Sequence, residues 1–290
     1  MAVLYESGWR VLLQGATGPY GLAQLEAMRD AGTPLAGVVA PGRAGGTIEG
    51  LPCFDRMADA VAATAAQVSI IYVPASGVRD ALVDAADAGI RLAVVAAEFV
   101  PVHDALWALA YARERGLWVV GPNSLGMMVP GQALLGSIAT GFTRPGRVGV
   151  IGRSGTLTLT GTRLLTRFGC GQSAITHMGG DMVVGRNPHE YLARFLDDPG
   201  TDIVAYLGEI GGGKEYAMLD LIAARRKPVV ALIVGRHAPP GKQMGHAGAL
   251  VEGTRETAAA KRAALAEAGA VIADNPEHLA HCVAEMLVPA

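Results

Sequence analysis

Short apolar runs alternate with amphipathic stretches along most of the chain. Residues 10–14 (RVLLQ), 34–39, 68–73 (VSIIYV), 91–96 (RLAVVA) and 117–120 (LWVV) are nearly continuous apolar runs, the pattern of strands buried on both faces. Between them, residues 21–31, 55–64, 77–88 and 102–115 read as helices. This strand–helix alternation predicts a parallel sheet with helices on both faces. From 122 to 145 the periodicity lapses and Gly and Pro accumulate, so this stretch reads as a connector. The alternation then resumes, with strands at 147–151 (RVGVI), 172–176, 203–207 (IVAYL), 228–234 (PVVALIV) and near Val271. Helices are expected at 155–167, 188–196, 216–225, 257–268 and 276–287. The chain therefore reads as two doubly wound α/β domains.

Composition narrows the function. With 290 residues, about half of them hydrophobic, the chain can build two sizeable cores. Twenty-four basic against 26 acidic residues leave a net charge of −2, without the basic stripe of a nucleic-acid binder. No apolar run reaches the ~18 residues of a membrane span. The start, Met-Ala-Val-Leu-Tyr-Glu-Ser, lacks a signal-peptide pattern, and the expectation is a cytoplasmic protein. Cys53, Cys170 and Cys282 are far apart, which fits a reducing compartment and excludes a cysteine-rich zinc module. The lysines are Lys214, Lys227, Lys242 and Lys261, so the N-terminal two-thirds cannot hold a Walker-type phosphate loop.

Four motifs carry candidate chemistry. Gly15-Ala16-Thr17-Gly18-Pro19-Tyr20-Gly21 joins the first strand to the first helix. Its GxxGxxG spacing suits either an anion-binding loop at a helix start or a purely structural turn. No acid follows at the position an NAD site requires; Arg43 stands in that loop, suited to a ribose phosphate of NADP or coenzyme A or simply to solvent. Gly152-Arg153-Ser154-Gly155-Thr156 repeats the strand-to-helix junction, with Thr156 where a nucleophile elbow needs glycine. Ser154 is either part of an anion site or a plain helix cap. Gly208-Glu209-Ile210-Gly211-Gly212-Gly213 puts a carboxylate at the C-terminal end of a strand, the edge where open α/β sheets bind ligands. Finally, Gly241 to Ala249 frames one imidazole, His246, with small residues. A carboxylate, with Glu209 the candidate, could fix its tautomer and leave the other nitrogen nucleophilic. His278 and His281 read as a solvated helix face, and His103, His177, His189 and His237 carry no pattern.

Together these motifs resemble the alpha subunit of succinyl-CoA synthetase and its relatives, including the small subunits of malate–CoA ligase. The stretches QGATGPYG, APGRAGGTIEGLPCF, IYVPA, GPNSLG, PGRVGVIGRSGTLT, GEIGG and KQMGHAGA carry the resemblance across nearly the whole chain. It implies a Rossmann-like CoA-binding domain at 1–122, a connector at 123–145, and a flavodoxin-like ligase domain at 146–290. Gly15, Thr17, Gly18, Pro19 and Tyr20 would line the CoA pyrophosphate loop, with Arg43 where the family usually has lysine. Pro74 and Ala97-Glu98-Phe99 would also lie along CoA. His246 would be phosphorylated, Glu209 would orient it, and Ser154, Gly155 and Thr156 would cradle the phosphate. ATP or GTP with Mg2+ would bind a separate ATP-grasp beta subunit, and this chain would hold no metal of its own. The resemblance implies no nucleic-acid or membrane partner.

Three departures bear on the small carboxylic acid substrate. Asn123-Ser124 replaces the usual Asn-Cys, Leu159 replaces a tyrosine, and Met182-Val183-Val184 is unusually apolar. The expectation is an acid other than succinate, bulkier or less polar. The competing readings are a non-catalytic CoA-binding regulatory protein, an NADP oxidoreductase, and a citrate-cleaving relative, for which no citryl-CoA lyase domain is visible.

Overall fold

In the computed structural model, residues 4–239, 241–246 and 248–287 are described. Each half folds around one seven-stranded sheet. The first contains β1 (Val11–Gln14), β2 (Leu35–Val39), β3 (Thr47–Ile48), β4 (Leu51–Phe54), β5 (Val68–Ile71), β6 (Leu92–Val95) and β7 (Trp118–Val120). Their order is β3-β4-β2-β1-β5-β6-β7, with β3 alone antiparallel. The six parallel strands, counted along the chain, lie in the order 3-2-1-4-5-6 of a Rossmann fold. Helices α1 (Pro19–Asp30), α2 (Met57–Thr64), α3 (Val78–Asp87) and α4 (Val102–Glu114) make the crossovers.

The second sheet contains β8 (Gly126–Val129), β9 (Ala133–Gly136), β10 (Pro145–Gly152), β11 (Gln172–His177), β12 (Ile203–Glu209), β13 (Val229–Val234) and β14 (Val271–Ala273). Their order is β14-β13-β12-β10-β11-β8-β9. Its five parallel strands follow the flavodoxin order 2-1-3-4-5. Helices α5 (Gly155–Arg167), α6 (Pro188–Asp197), α7 (Leu219–Ala223), α8 (Ala258–Glu267) and α9 (Pro276–Leu287) cover it. The local signals are clear at α6, where Pro188 sits in the first turn and Asn187 with Glu190 forms a capping box. No helix among the described residues is long and apolar enough to cross a membrane.

The stretch expected as a structureless connector instead carries β8 and β9. This hairpin pairs antiparallel with β11 and closes one edge of the second sheet. All eight of its strand residues are buried, so the polar half of a strand alternation is missing and the pattern gives no period. The first half covers the hairpin's outer edge: the Thr33 hydroxyl accepts from Leu134 N at 3.0 Å and donates to Leu134 O at 2.9 Å. The helix expected at 216–225 begins as a 3-10 turn (Lys214–Met218), and α7 has only five residues.

Candidate active site

Both sheets reverse their strand order once, and ligands of open α/β sheets bind beyond the strand ends at such points. In the first sheet the reversal lies between β1 and β5. Gly15 leaves β1 with a φ of +73°, and a side chain there would strike Val73, 2.9 Å from its backbone nitrogen. Only glycine permits both this conformation and this approach. Pro19 occupies the first turn of α1, whose N-terminus has no side-chain cap and no acidic residue. In the second sheet the reversal lies between β10 and β12. Here Gly152-Arg153-Ser154 leaves β10 and Glu209 ends β12. Ser154 caps α5, its hydroxyl accepting from Leu157 N at 3.5 Å.

The two switch points open into one cleft of about 500 Å³. Tyr20, Tyr72, Val73, Ala97 and Glu98 come from the first half, and Gly155, Thr156, Leu159, His177 and His246 from the second. Asn123, Ser124 and Leu125 line the seam between them. Tyr20 is exposed and meets Tyr72 edge-on, with ring centres 5.7 Å apart. Asn123 takes a left-handed φ of +56° and donates from Nδ2 to Asp181 at 3.1 Å. The Ser124 hydroxyl is committed to structure: it donates to His177 O and accepts from Gly126 N at 2.8 Å.

His246 lies on the loop after β13. Its Nδ1 is 2.9 Å from Glu209 Oε2. A carboxylate accepts only, so Nδ1 holds the proton and Nε2 is left with a free lone pair. The hydrogen bond to Glu209 is the main reason the His246 pKa is raised; burial and the Arg153 charge work against it. Ala247, within the same motif, lies outside the described residues.

Beneath this pair lies a buried ionic cluster. Arg153 Nε is 3.2 Å from Glu209 Oε1, and its Nη1 is 3.7 Å from Glu215. The Arg153 guanidinium also donates to Gly211 O and Gly248 O, each at 3.0 Å. Glu215 pairs with Lys261 at 2.7 Å and accepts from the Tyr206 hydroxyl at 2.9 Å. Lys261 donates to Glu209 O and Gly211 O at 3.0 and 2.7 Å. The two cations and two carboxylates are all buried, so each neutralises charge that water cannot reach. Gly211, at φ +87°, lets the His246 loop close in, because a side chain there would lie 2.1 Å from Gly248 O.

His177 is the second imidazole in the cleft. Its Nδ1 accepts from Leu125 N at 2.9 Å and its Nε2 donates to Arg153 O at 3.0 Å. Burial pushes its pKa down to about 4, so it stays neutral.

The structure thus gathers Tyr20, Ala97, Glu98, Asn123, Ser124, Gly155, Thr156, Leu159 and His246 around one cleft, with Glu209 behind His246. Gly15, Thr17, Gly18 and Pro19 form the turn that leads into it, and Pro74 precedes the short turn before α3. Arg43 is placed elsewhere, in a depression with Thr47, Ile48 and Cys53. Phe99 faces a separate apolar groove with Val102, Met182 and Val183. The sequence reading gave no role to Arg153, His177, Glu215 or Lys261.

A coenzyme A-binding-domain model matches residues 6–99, and a CoA-ligase model matches residues 151–271. A succinate–CoA ligase [ADP-forming] alpha subunit of Archaeoglobus fulgidus is 41% identical over 287 residues, 99% of this chain and 100% of that protein. The Aquifex aeolicus succinate–CoA ligase alpha subunit is 39% identical, covering 99% of this chain and 95% of its own. Among solved structures, ATP citrate lyase of Methanothrix soehngenii, in complex with citrate and coenzyme A, superposes with a TM-score of 0.89 at 26% identity. That match takes in 99% of this chain but only 51% of the lyase chain. The fold, the shared cleft and the matched domains define an acid–thiol ligase. Within that class, the chain belongs to the succinate–CoA ligase alpha-subunit family.

Proposed function

We propose that this chain is the CoA-binding, phosphoryl-carrying subunit of a nucleotide-dependent carboxylic acid–CoA ligase, with His246 as the carrier. The observation that carries this reading is the imidazole whose Nδ1 is held by buried Glu209 while the ring lines a cleft shared with the glycine turn. In the first transfer His246 Nε2 attacks the terminal phosphorus of the nucleoside triphosphate, and the bond to the departing diphosphate breaks. Glu209 keeps the Nδ1 proton and balances the positive charge on the ring. A carboxylate oxygen of the acid then attacks the phosphorus, the N–P bond breaks, and an acyl phosphate forms. The CoA thiolate attacks the acyl carbon and releases phosphate. Gly155 and Thr156, in the first turn of α5, offer backbone N–H groups to the transferring phosphoryl oxygens, and Ser154 holds that turn in place.

CoA enters as a substrate, and the first half is suited to it. The uncapped, acid-free start of α1 after the Gly15 turn accommodates a pyrophosphate, with Tyr20 and Glu98 on the cleft wall. In this reading Arg43, Pro74 and Phe99 meet more distant parts of CoA. The CoA-binding unit is assigned to 1–122 and the ligase unit to 146–290. The nucleotide, ATP or GTP, and its Mg2+ are assigned to an ATP-grasp beta subunit. The proposed compartment is the cytoplasm. Leu159, on the cleft wall where the resemblance implies a tyrosine, supports an acid less polar than succinate.

The test is the mass of the His246 peptide after the co-purified complex is incubated with ATP or GTP and kept alkaline. One added phosphoryl group, absent in His246→Ala, is expected. No addition with either nucleotide would overturn the reading in favour of a non-catalytic CoA-binding protein.

A further inference from the structure

Lys214 follows the Gly211–Gly213 turn, five residues beyond Glu209. Its ammonium donates to Met182 O at 3.0 Å, and no carboxylate among the described residues lies within ion-pairing distance of it. A half-buried lysine spent on a backbone carbonyl is unusual, because the group gives up hydration without gaining an opposite charge.

The carbonyl it holds belongs to the loop that walls the His246 ring. A Cβ on Gly180 would lie 3.1 Å from His246 Cδ2. Asp181 is tied to Asn123, and Gly180 N donates to Asn123 O at 3.0 Å. On the other side, a Cβ on Gly248 would lie 3.9 Å from Met182 Cα. Gly248 O and Gly211 O are both held by Arg153. These links form a circuit closed by proximity: Arg153 bonds Gly248 O, Gly248 faces Met182 across space that a methyl group would fill, Lys214 bonds Met182 O, and the glycine turn leads from Lys214 back to Gly211 and Arg153.

The geometry points to Lys214 as a positioning residue for phosphoryl transfer, closing the circuit that presses the 179–183 loop against the His246 loop and holds the imidazole in register with the cleft. This rests on the function proposed above. Lys214 touches no reacting atom; it acts through Met182 and Gly180. Its burial, together with the nearby charge of Arg153, lowers its pKa to about 8, so the circuit weakens in mildly alkaline solution. The charged groups that act on it are Arg153 in the turn between β10 and α5, the adjacent Glu215, and Lys261 on α8; Asp181 precedes the residue whose carbonyl it holds. His246 titrates in the opposite sense for activity: losing its proton makes it competent, so it shapes the acid limb of a rate profile, not the alkaline one.

The experiment measures His246 phosphorylation in the co-purified complex from about pH 7 to about pH 10. It is paired with hydrogen exchange of the 179–183 amides in the full chain without nucleotide. The wild type is expected to lose rate on an alkaline limb centred near pH 8. Lys214→Arg, which cannot discharge in this range, should keep the neutral rate and lose that limb. Lys214→Met should fall about tenfold at neutral pH, the effect of one charge-assisted hydrogen bond, and exchange the loop amides about tenfold faster. An alkaline limb unchanged in Lys214→Arg, or a Lys214→Met chain with wild-type rate, overturns the proposal. If the wild type takes no phosphoryl group, the functional reading fails, and hydrogen exchange still decides the tether: unchanged loop exchange in Lys214→Met refutes it.

Discussion

Replacing Glu209 by Gln keeps the shape of the side chain and removes its charge. Two contacts change. The Oε2 contact to His246 Nδ1, 2.9 Å in the wild type, becomes a neutral hydrogen bond, or places an N–H against Nδ1 and forces the wrong tautomer. The negative charge opposite Arg153 also goes, leaving that guanidinium with Glu215 at 3.7 Å as its carboxylate partner and its two carbonyl acceptors. A charge-assisted hydrogen bond contributes about 1.5–3 kcal/mol, so at about 1.4 kcal/mol per decade the phosphorylation rate should fall about tenfold to about 150-fold. The pH dependence is the sharper test. Glu209 is the main group raising the His246 pKa, while burial and Arg153 lower it. The acid limb of His246 phosphorylation, set by loss of the neutral imidazole, should therefore move to lower pH in Glu209→Gln. The sign for stability follows from the same linkage. A raised folded pKa gives stability that is present below the unfolded value and lost as pH rises through the folded one. The wild type should show this loss and the variant should not. Rapid-quench phosphorylation over a pH series, with denaturant melts alongside, measures both. An acid limb that stays in place or moves up would refute the reasoning.

Three further outcomes are expected. Gly180→Ala puts a methyl 3.1 Å from His246 Cδ2 and 3.2 Å from Asn123 Nδ2, and should slow phosphorylation about tenfold with little change in Tm, as measured by rapid quench and calorimetry. Lys261→Met leaves buried Glu215 with only Arg153 at 3.7 Å and the Tyr206 hydroxyl, and should lower stability by about 3 kcal/mol, read from urea unfolding of the full chain. Leu159→Tyr, facing the cleft, should raise kcat/KM for succinate roughly fivefold through one added hydrogen bond; steady-state turnover showing no gain would mean that Leu159 does not set the acid.

The central strands of both sheets were legible because they are buried apolar runs separated by well-signalled helices, whereas β3 and β4 escaped, being short, partly exposed and interrupted by Pro52, and the order of the strands followed only from the family resemblance. The glycine turns flagged the switch points for the same local reason: left-handed backbone and close approach leave a residue-type signature. The β8–β9 hairpin was harder, since burial on both faces erased its alternation; the Pro130-Gly131 pair between two apolar tetrads was the available cue. The pairing of His246 with Glu209 was inferable because Glu209 ends β12 and His246 follows on the loop after the neighbouring strand, β13. Arg153, Glu215 and Lys261 were not, because a buried ion pair is a tertiary fact. Each looks like an ordinary surface charge until β10, the turn after β12, and α8 bring them together. Arg43 shows the converse, a loop residue with a suggestive position that the fold turns toward a different depression.

The constrained second imidazole has a chemical consequence. Two histidines share the cleft, yet both nitrogens of His177 are occupied by backbone groups and its basicity is suppressed, whereas His246 keeps one nitrogen uncommitted. An electrophile entering the cleft therefore meets a single nucleophilic imidazole. The fold makes labelling of this cleft regioselective by leaving only one ring able to react, with no need to discriminate between two.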